Sequence, residues 1–86
     1  MAETPEARLK RLKMRSWRRG MKEMDLILGP YADQHLAQMA VDDIERYDQM
    51  LNENDQELYR WITGQDTPPK ALIALLEKIA THAGIR

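Results

Sequence analysis

Few side chains in this sequence could serve as a nucleophile, a general base or a metal ligand, and their spacing limits them further. Ser16 is the only serine, in a basic stretch that reads as helix, and His35 and His82 are the only histidines. A Ser–His–acid triad needs an oriented base within hydrogen-bond reach of the hydroxyl. No histidine lies near Ser16 in the sequence, so both read as ordinary surface or boundary residues. There is no cysteine, which removes disulfides, thiolate nucleophiles and cysteine-ligated metal sites together. Asp33 and His35 stand two apart and diverge on a helix. The acidic run from Asp42 to Asp48 lacks the glycine and the final glutamate of a calcium loop and reads as a solvated face. The glycines are isolated from one another, so no phosphate-cradling loop is present. The expectation is a chain with no catalytic residue and no metal site.

One segment keeps a chemical character: Arg15-Ser16-Trp17-Arg18-Arg19-Gly20-Met21-Lys22-Glu23-Met24-Asp25. In a purely structural reading, Gly20 caps one helix, Met21 and Met24 open the apolar stripe of the next, and the charges are solvated. The same residues suit docking. A glycine at a helix junction lets a partner's backbone approach closely. Arg19 can fork onto a carboxylate or phosphate, and Glu23, four residues on, can pair with Arg19 or hold a partner's base.

The elements that would position this segment are helical. Thr4 is a candidate N-cap with Pro5 at the first helical position, Leu9, Leu12 and Trp17 fall near one face, and Gly20 is the expected stop. Met21, Met24 and Leu28 start a second stripe, broadened by Ile27 and Tyr31, which Gly29-Pro30 is expected to break or kink, with helix resuming through Leu36 and Met39. Asp42, Asp43 and Glu45 favour the start of a third helix, with Ala40, Ile44, Tyr47 and Leu51 as its apolar stripe. After the turn Asn52-Glu53-Asn54, Asn54 and Glu57 resemble a capping box for a short helix that points Leu58, Trp61 and Ile62 inward and ends at Gly64. Thr67-Pro68-Pro69 is expected to start the last helix, whose Leu72, Leu75, Leu76, Ile79 and Ala83 keep helical spacing up to Gly84. No segment alternates with the period of a strand. The fold class is all-α: a compact bundle of four to five short helices in a single domain over residues 1–86.

Eighty-six residues bury only a modest core, about 60–65% of the unfolded surface, which favours a binding module over an enzyme with a deep pocket. No apolar run approaches a membrane span. The net charge of −1 conceals an asymmetry: residues 1–22 hold eight Lys/Arg and two Glu, and the remainder five Lys/Arg and twelve Asp/Glu. Such a basic end suggests docking onto an acidic or phosphate-bearing partner, or simply a solvated basic helix.

Arg18-Arg19-Gly20-Met21-Lys22-Glu23-Met24-Asp25 resembles the R-R-G-x-x-E-x-D signature of the SdhE family, also called succinate dehydrogenase assembly factor 2 in mitochondria. The likeness continues through Leu26-Ile27-Leu28-Gly29-Pro30-Tyr31. It returns in Tyr47-Asp48-Gln49-Met50-Leu51 and in Asn54-Asp55-Gln56-Glu57-Leu58-Tyr59-Arg60-Trp61, a second block in which an acidic turn leads to an L-Y-x-W helix. It covers roughly residues 8–69. The resemblance implies a five-helix fold and a non-enzymatic assembly factor. Such a factor binds the flavoprotein subunit of succinate dehydrogenase, and by extension that of fumarate reductase, and promotes covalent attachment of FAD. It also implies that Arg19, Gly20 and Glu23 form the functional face, that Asp25 follows them, and that Arg18 and Trp17 border the contact. FAD is then expected on the client and no cofactor on this chain, because flavinylation joins the client's own histidine to the 8α carbon of its FAD. The factor need only favour the client conformation that holds the two in near-attack geometry. Gly29 stands where family members carry a bulkier residue before the proline, and is expected to loosen the helix without touching the motif.

Two other readings remain open at this level: a nucleic-acid binder using the basic helix from Arg8 to Lys22, opposed by the acidic remainder, and an antitoxin-like adaptor capping another protein. Neither nucleic acid nor membrane is expected as a partner of the favoured reading. The N-terminus lacks the order of a secretory signal, and its shortness before the motif suggests the bacterial cytoplasm over a mitochondrial matrix.

Overall fold

The computed structural model describes residues 2–86. Its first helix begins as the sequence specifies: Thr4 accepts a hydrogen bond from the Ala7 amide at 3.1 Å, and Pro5 stands at the first helical position. This helix, α1 (Pro5–Trp17), stops before Gly20, because Arg18 leaves helical geometry at φ −129° and ψ 60°. A short junction over residues 18–21 leads to α2 (Lys22–His35), which passes unbroken through Gly29-Pro30. The expected break fails for a local reason. A proline ring disfavours helical geometry in the preceding residue partly through that residue's Cβ, and Gly29 has none.

A 3-10 turn (Leu36–Gln38) leads to α3 (Val41–Met50), with Asp42 and Asp43 in its first turn. The next helix, α4 (Asp55–Ile62), is capped by Asn54, whose side chain accepts from the Gln56 amide at 2.8 Å. Thr67-Pro68-Pro69 does not start the last helix. A second 3-10 turn (Lys70–Leu72) intervenes, and α5 spans Ile73–His82. Both α4 and α5 end on a glycine with positive φ, Gly64 and Gly84. The following residue bonds back in each case, Gln65 to the Arg60 carbonyl and Ile85 to that of Ala80, the pattern of a Schellman stop.

The five helices converge on one core. Leu12 of α1, Met24 and Leu28 of α2, Tyr47 and Met50 of α3, Leu58 and Ile62 of α4, and Leu76 and Ile79 of α5 are all fully buried. Ser16 is the one buried polar residue of the described chain. Its hydroxyl donates to the Leu12 carbonyl at 2.8 Å and accepts from the Tyr47 hydroxyl at 2.7 Å. That bond ties α1 to α3, so the lone serine is a structural strut with tyrosine, not histidine, beside it. Burial pushes the Tyr47 hydroxyl well above its ordinary pKa.

Along the outside of the same two helices runs a seam of ion pairs. Arg8 meets Glu45 at 2.6 Å, while Arg8, Arg11 and Arg15 reach Asp48 at 3.4, 2.8 and 3.7 Å. The arginines of α1 are therefore paired with acids of α3, and part of the charge asymmetry is neutralised within the fold.

Candidate functional site

The junction between α1 and α2 is short, and each of its residues is held differently. Arg18 is exposed and Arg19 turns inward. The Arg19 side chain is 8% exposed. Its Nε donates to Asp55 Oδ1 at 2.7 Å, one terminal nitrogen to the Leu51 carbonyl at 2.8 Å, and the other to the Glu53 carbonyl at 3.1 Å. Leu51 and Glu53 lie where α3 ends, and helix C-termini carry carbonyls with no partner inside the helix. The guanidinium therefore closes the end of one helix while pairing with the first residue of the next. The expected pairing of Arg19 with Glu23 is not present among the described residues, because Arg19 is engaged by Asp55, Leu51 and Glu53 of its own chain.

Two carboxylates from different elements fix the backbone of the junction. The Arg19 amide donates to Asp25 Oδ1, and the Gly20 amide to Asp55 Oδ2. Asp25 thus serves as an internal brace one turn into α2 and is half-buried. Gly20 itself is exposed on its outer side. A Cβ added there would lie 3.1 Å from Asp55 Oδ2, so a larger side chain at Gly20 crowds that one atom.

Glu23 is exposed, and among the described residues no ion pair or hydrogen bond engages its carboxylate. Trp17 is 40% exposed. Its Nε1–H donates to Asp33 at 3.1 Å, and its ring lies on Gly29 so closely that a Cβ there would overlap the indole. Gly29 therefore does touch the border of the motif, contrary to expectation: it is the floor on which Trp17 rests. Leu26, one turn beyond Glu23, is 60% exposed. Of the six candidate residues, the structure brings Trp17, Arg18, Gly20 and Glu23 to the surface and turns Arg19 and Asp25 into the supports beneath them.

Sequence reasoning missed Asp55, Asp33 and Leu26. An acid just after an Asn cap is ordinary helix-start chemistry, so nothing marked Asp55 as the partner of a residue 36 positions away. Leu26 did carry a signal. With Met24 and Leu28 inward, helical spacing turns the position between them outward.

The broadest concavity lies elsewhere, between the end of α2 and α5. It is a groove of about 610 Å³ lined by Tyr31, His35, Glu77, Lys78 and His82, among others. The two histidine rings meet edge-on with centroids 5.0 Å apart, and His82 Nε2 contacts Gln34 Oε1 at 3.1 Å. Neither ring approaches Ser16, whose hydroxyl partners are Leu12 and Tyr47.

Comparison with known proteins places the chain in a family. The family described as "Flavinator of succinate dehydrogenase" matches residues 10–83. The chain belongs to that family. Among individual relatives, the protein named succinate dehydrogenase assembly factor 2, mitochondrial, from Lodderomyces elongisporus is 38% identical, covering 93% of this chain and 54% of its own length. Succinate dehydrogenase assembly factor 2-A, mitochondrial, from Drosophila yakuba is 36% identical, covering 94% of this chain and 54% of its own. Succinate dehydrogenase assembly factor 2, mitochondrial, from Aspergillus terreus is 45% identical over 67% of this chain and 19% of its own. The chain therefore spans about half, or less, of the curated relatives it matches. These relatives are named as mitochondrial proteins of fungi and a fly. They overturn the expectation of a bacterial cytoplasmic location, which rested on where the sequence starts. The matched span includes both resemblance blocks and the entire junction.

Proposed function

We propose that this protein is an assembly factor that binds the flavoprotein subunit of succinate dehydrogenase and promotes covalent attachment of its FAD. The observation that carries the reading is the family match over residues 10–83. The geometry of the junction agrees with it: Arg18, Gly20 and Glu23 face outward from a braced backbone, as a docking face requires. The same reading extends to the related fumarate reductase flavoprotein as a second client.

In this reading the factor supplies no reacting group. The client's histidine and its FAD form the bond, and the factor binds the client conformation that aligns them, shifting the equilibrium by its differential affinity. Trp17, Arg18, Gly20 and Glu23 contact the client. Arg19 and Asp25 hold those residues in place. No cofactor is assigned to this chain.

The test is in-gel flavin fluorescence of the succinate dehydrogenase flavoprotein after denaturing electrophoresis, in cells lacking this protein and in cells complemented with wild type or Glu23→Arg. Glu23 is the better first substitution than Gly20→Arg, because its carboxylate has no described partner in the fold whereas a Gly20 side chain crowds Asp55. Fluorescence lost on deletion, restored by wild type and not restored by Glu23→Arg is the expected result. Unchanged covalent flavin in the deletion strain would remove the proposal.

A further inference from the structure

The second block of the resemblance, Asn54 to Trp61, meets the junction through Asp55. We infer that Asp55 is the positioning residue of the docking face, holding the Arg19-Gly20 backbone in the shape the client binds. The inference rests on the function proposed above. Asp55 sits at the first position of α4, directly after the Asn54 cap, which fixes the backbone from which its carboxylate extends. One oxygen takes the Arg19 Nε–H and the other takes the Gly20 amide, 35 residues away in sequence. A single rigid, planar group thus sets both the side-chain direction of one residue and the backbone plane of the next.

The need for such a clamp follows from Gly20 itself. Glycine loses more backbone freedom on ordering than any other residue, and a loop ordered only on binding weakens affinity by that cost. Gly20 has no side chain with which to anchor itself, so its conformation depends on its amide partner. Asp25 plays the corresponding part for the Arg19 amide from the opposite side, within α2. Asp55 is not itself a client contact: its side chain is 14% exposed and lies beneath Gly20. The acid of the second block and the Arg-Gly pair of the first are therefore one unit.

Purified wild type, Asp55→Asn and Ile79→Val would be compared in a flavinylation reaction with apo-flavoprotein subunit and FAD, alongside amide hydrogen exchange at Gly20 and at core positions. Ile79→Val is the control for general destabilisation, since Ile79 is fully buried in α5. Asp55→Asn is expected to raise the factor concentration for half-maximal flavinylation by about tenfold or more, equivalent to about 1.4 kcal/mol. It should leave the rate at saturation near wild type. Gly20 exchange should accelerate selectively, while Ile79→Val should change neither readout beyond its effect on the core amides. Asp55→Asn matching wild type in the half-maximal concentration, or losing affinity only as far as Ile79→Val does, would overturn the positioning role. If wild type itself fails to stimulate flavinylation, the proposed function falls. The clamp is then decided by exchange alone, and unaltered Gly20 protection in Asp55→Asn would refute it.

Discussion

Two sets of arginine–aspartate contacts hold this small bundle together, and they differ in their access to water. Along the α1–α3 seam, Arg8, Arg11 and Arg15 converge on Asp48, with side-chain exposures of 23, 38 and 36% for the arginines and 21% for the acid. At the junction, Arg19 and Asp55 are 8 and 14% exposed and supplement each other with backbone partners. Where solvent reaches, each pair adds little and the redundancy of three arginines makes any one dispensable. Where solvent is excluded, removing one partner leaves the other charge stranded. The seam adds modestly to strength, and the junction sets shape.

The largest way to break that comparison is Asp55→Ala. It should cost about 3 kcal/mol, as for other buried pairs that lose one member, and lower the thermal midpoint by about 12 °C or more for a domain of this size, read by circular dichroism. A loss below about 1 kcal/mol would place Arg19 in the same class as the seam. Gly29→Val sharpens the junction side. The added side chain must displace the Trp17 ring, so a loss of about 1–3 kcal/mol is expected. The Trp17 Nε1–H resonance should move as its bond to Asp33 breaks. An unshifted resonance would show that the indole keeps its place and its bond to Asp33 despite the added side chain.

Asp48→Asn tests the seam and should cost about 1 kcal/mol or less. It should also flatten the acid limb of the stability curve. The hydrogen bond from Arg11, and then the charges of Arg11, Arg8 and Arg15, hold the Asp48 carboxyl below its usual range in the folded protein. A lowered folded value means that this stability is fully present above the unfolded value of about 4 and is lost as pH falls through the folded one. Denaturant midpoints measured from pH 6 down to pH 2 should fall for wild type below about pH 4, and less so for Asp48→Asn. Smallest of all should be the loss on Arg8→Ala, read as the smallest shift in denaturant midpoint of the four and smaller still in high salt.

Much of the fold was legible because local chemistry and tertiary structure agree. Thr4-Pro5 starts α1, Asn54 starts α4, and Gly64 and Gly84 stop α4 and α5, since each acts through its own neighbours. Gly29-Pro30 misled because the glycine removes one part of the penalty, the Cβ that makes helix before proline unfavourable. The junction between α1 and α2 was legible as a segment but not as a geometry. Whether an arginine faces a partner or its own chain depends on what the fold places beside it. Leu51, Glu53 and Asp55 reach Arg19 only through the crossing of α1 over the α3–α4 turn.

The Ser16–Tyr47 bond has a consequence in time as well as space. Closing a chain on itself carries an entropic cost that rises with the length of the loop, and residues 19 and 55 are 36 apart. Once α1 and α3 have docked through Ser16 and Tyr47, only a few residues on either side remain to be brought together. The clamp on Gly20 thus costs least to close after the core, and if it closes in that order substitutions there should quicken unfolding more than they slow folding, as chevron kinetics would read. A client that recognises the clamped glycine would thus be meeting a molecule whose folding is already complete.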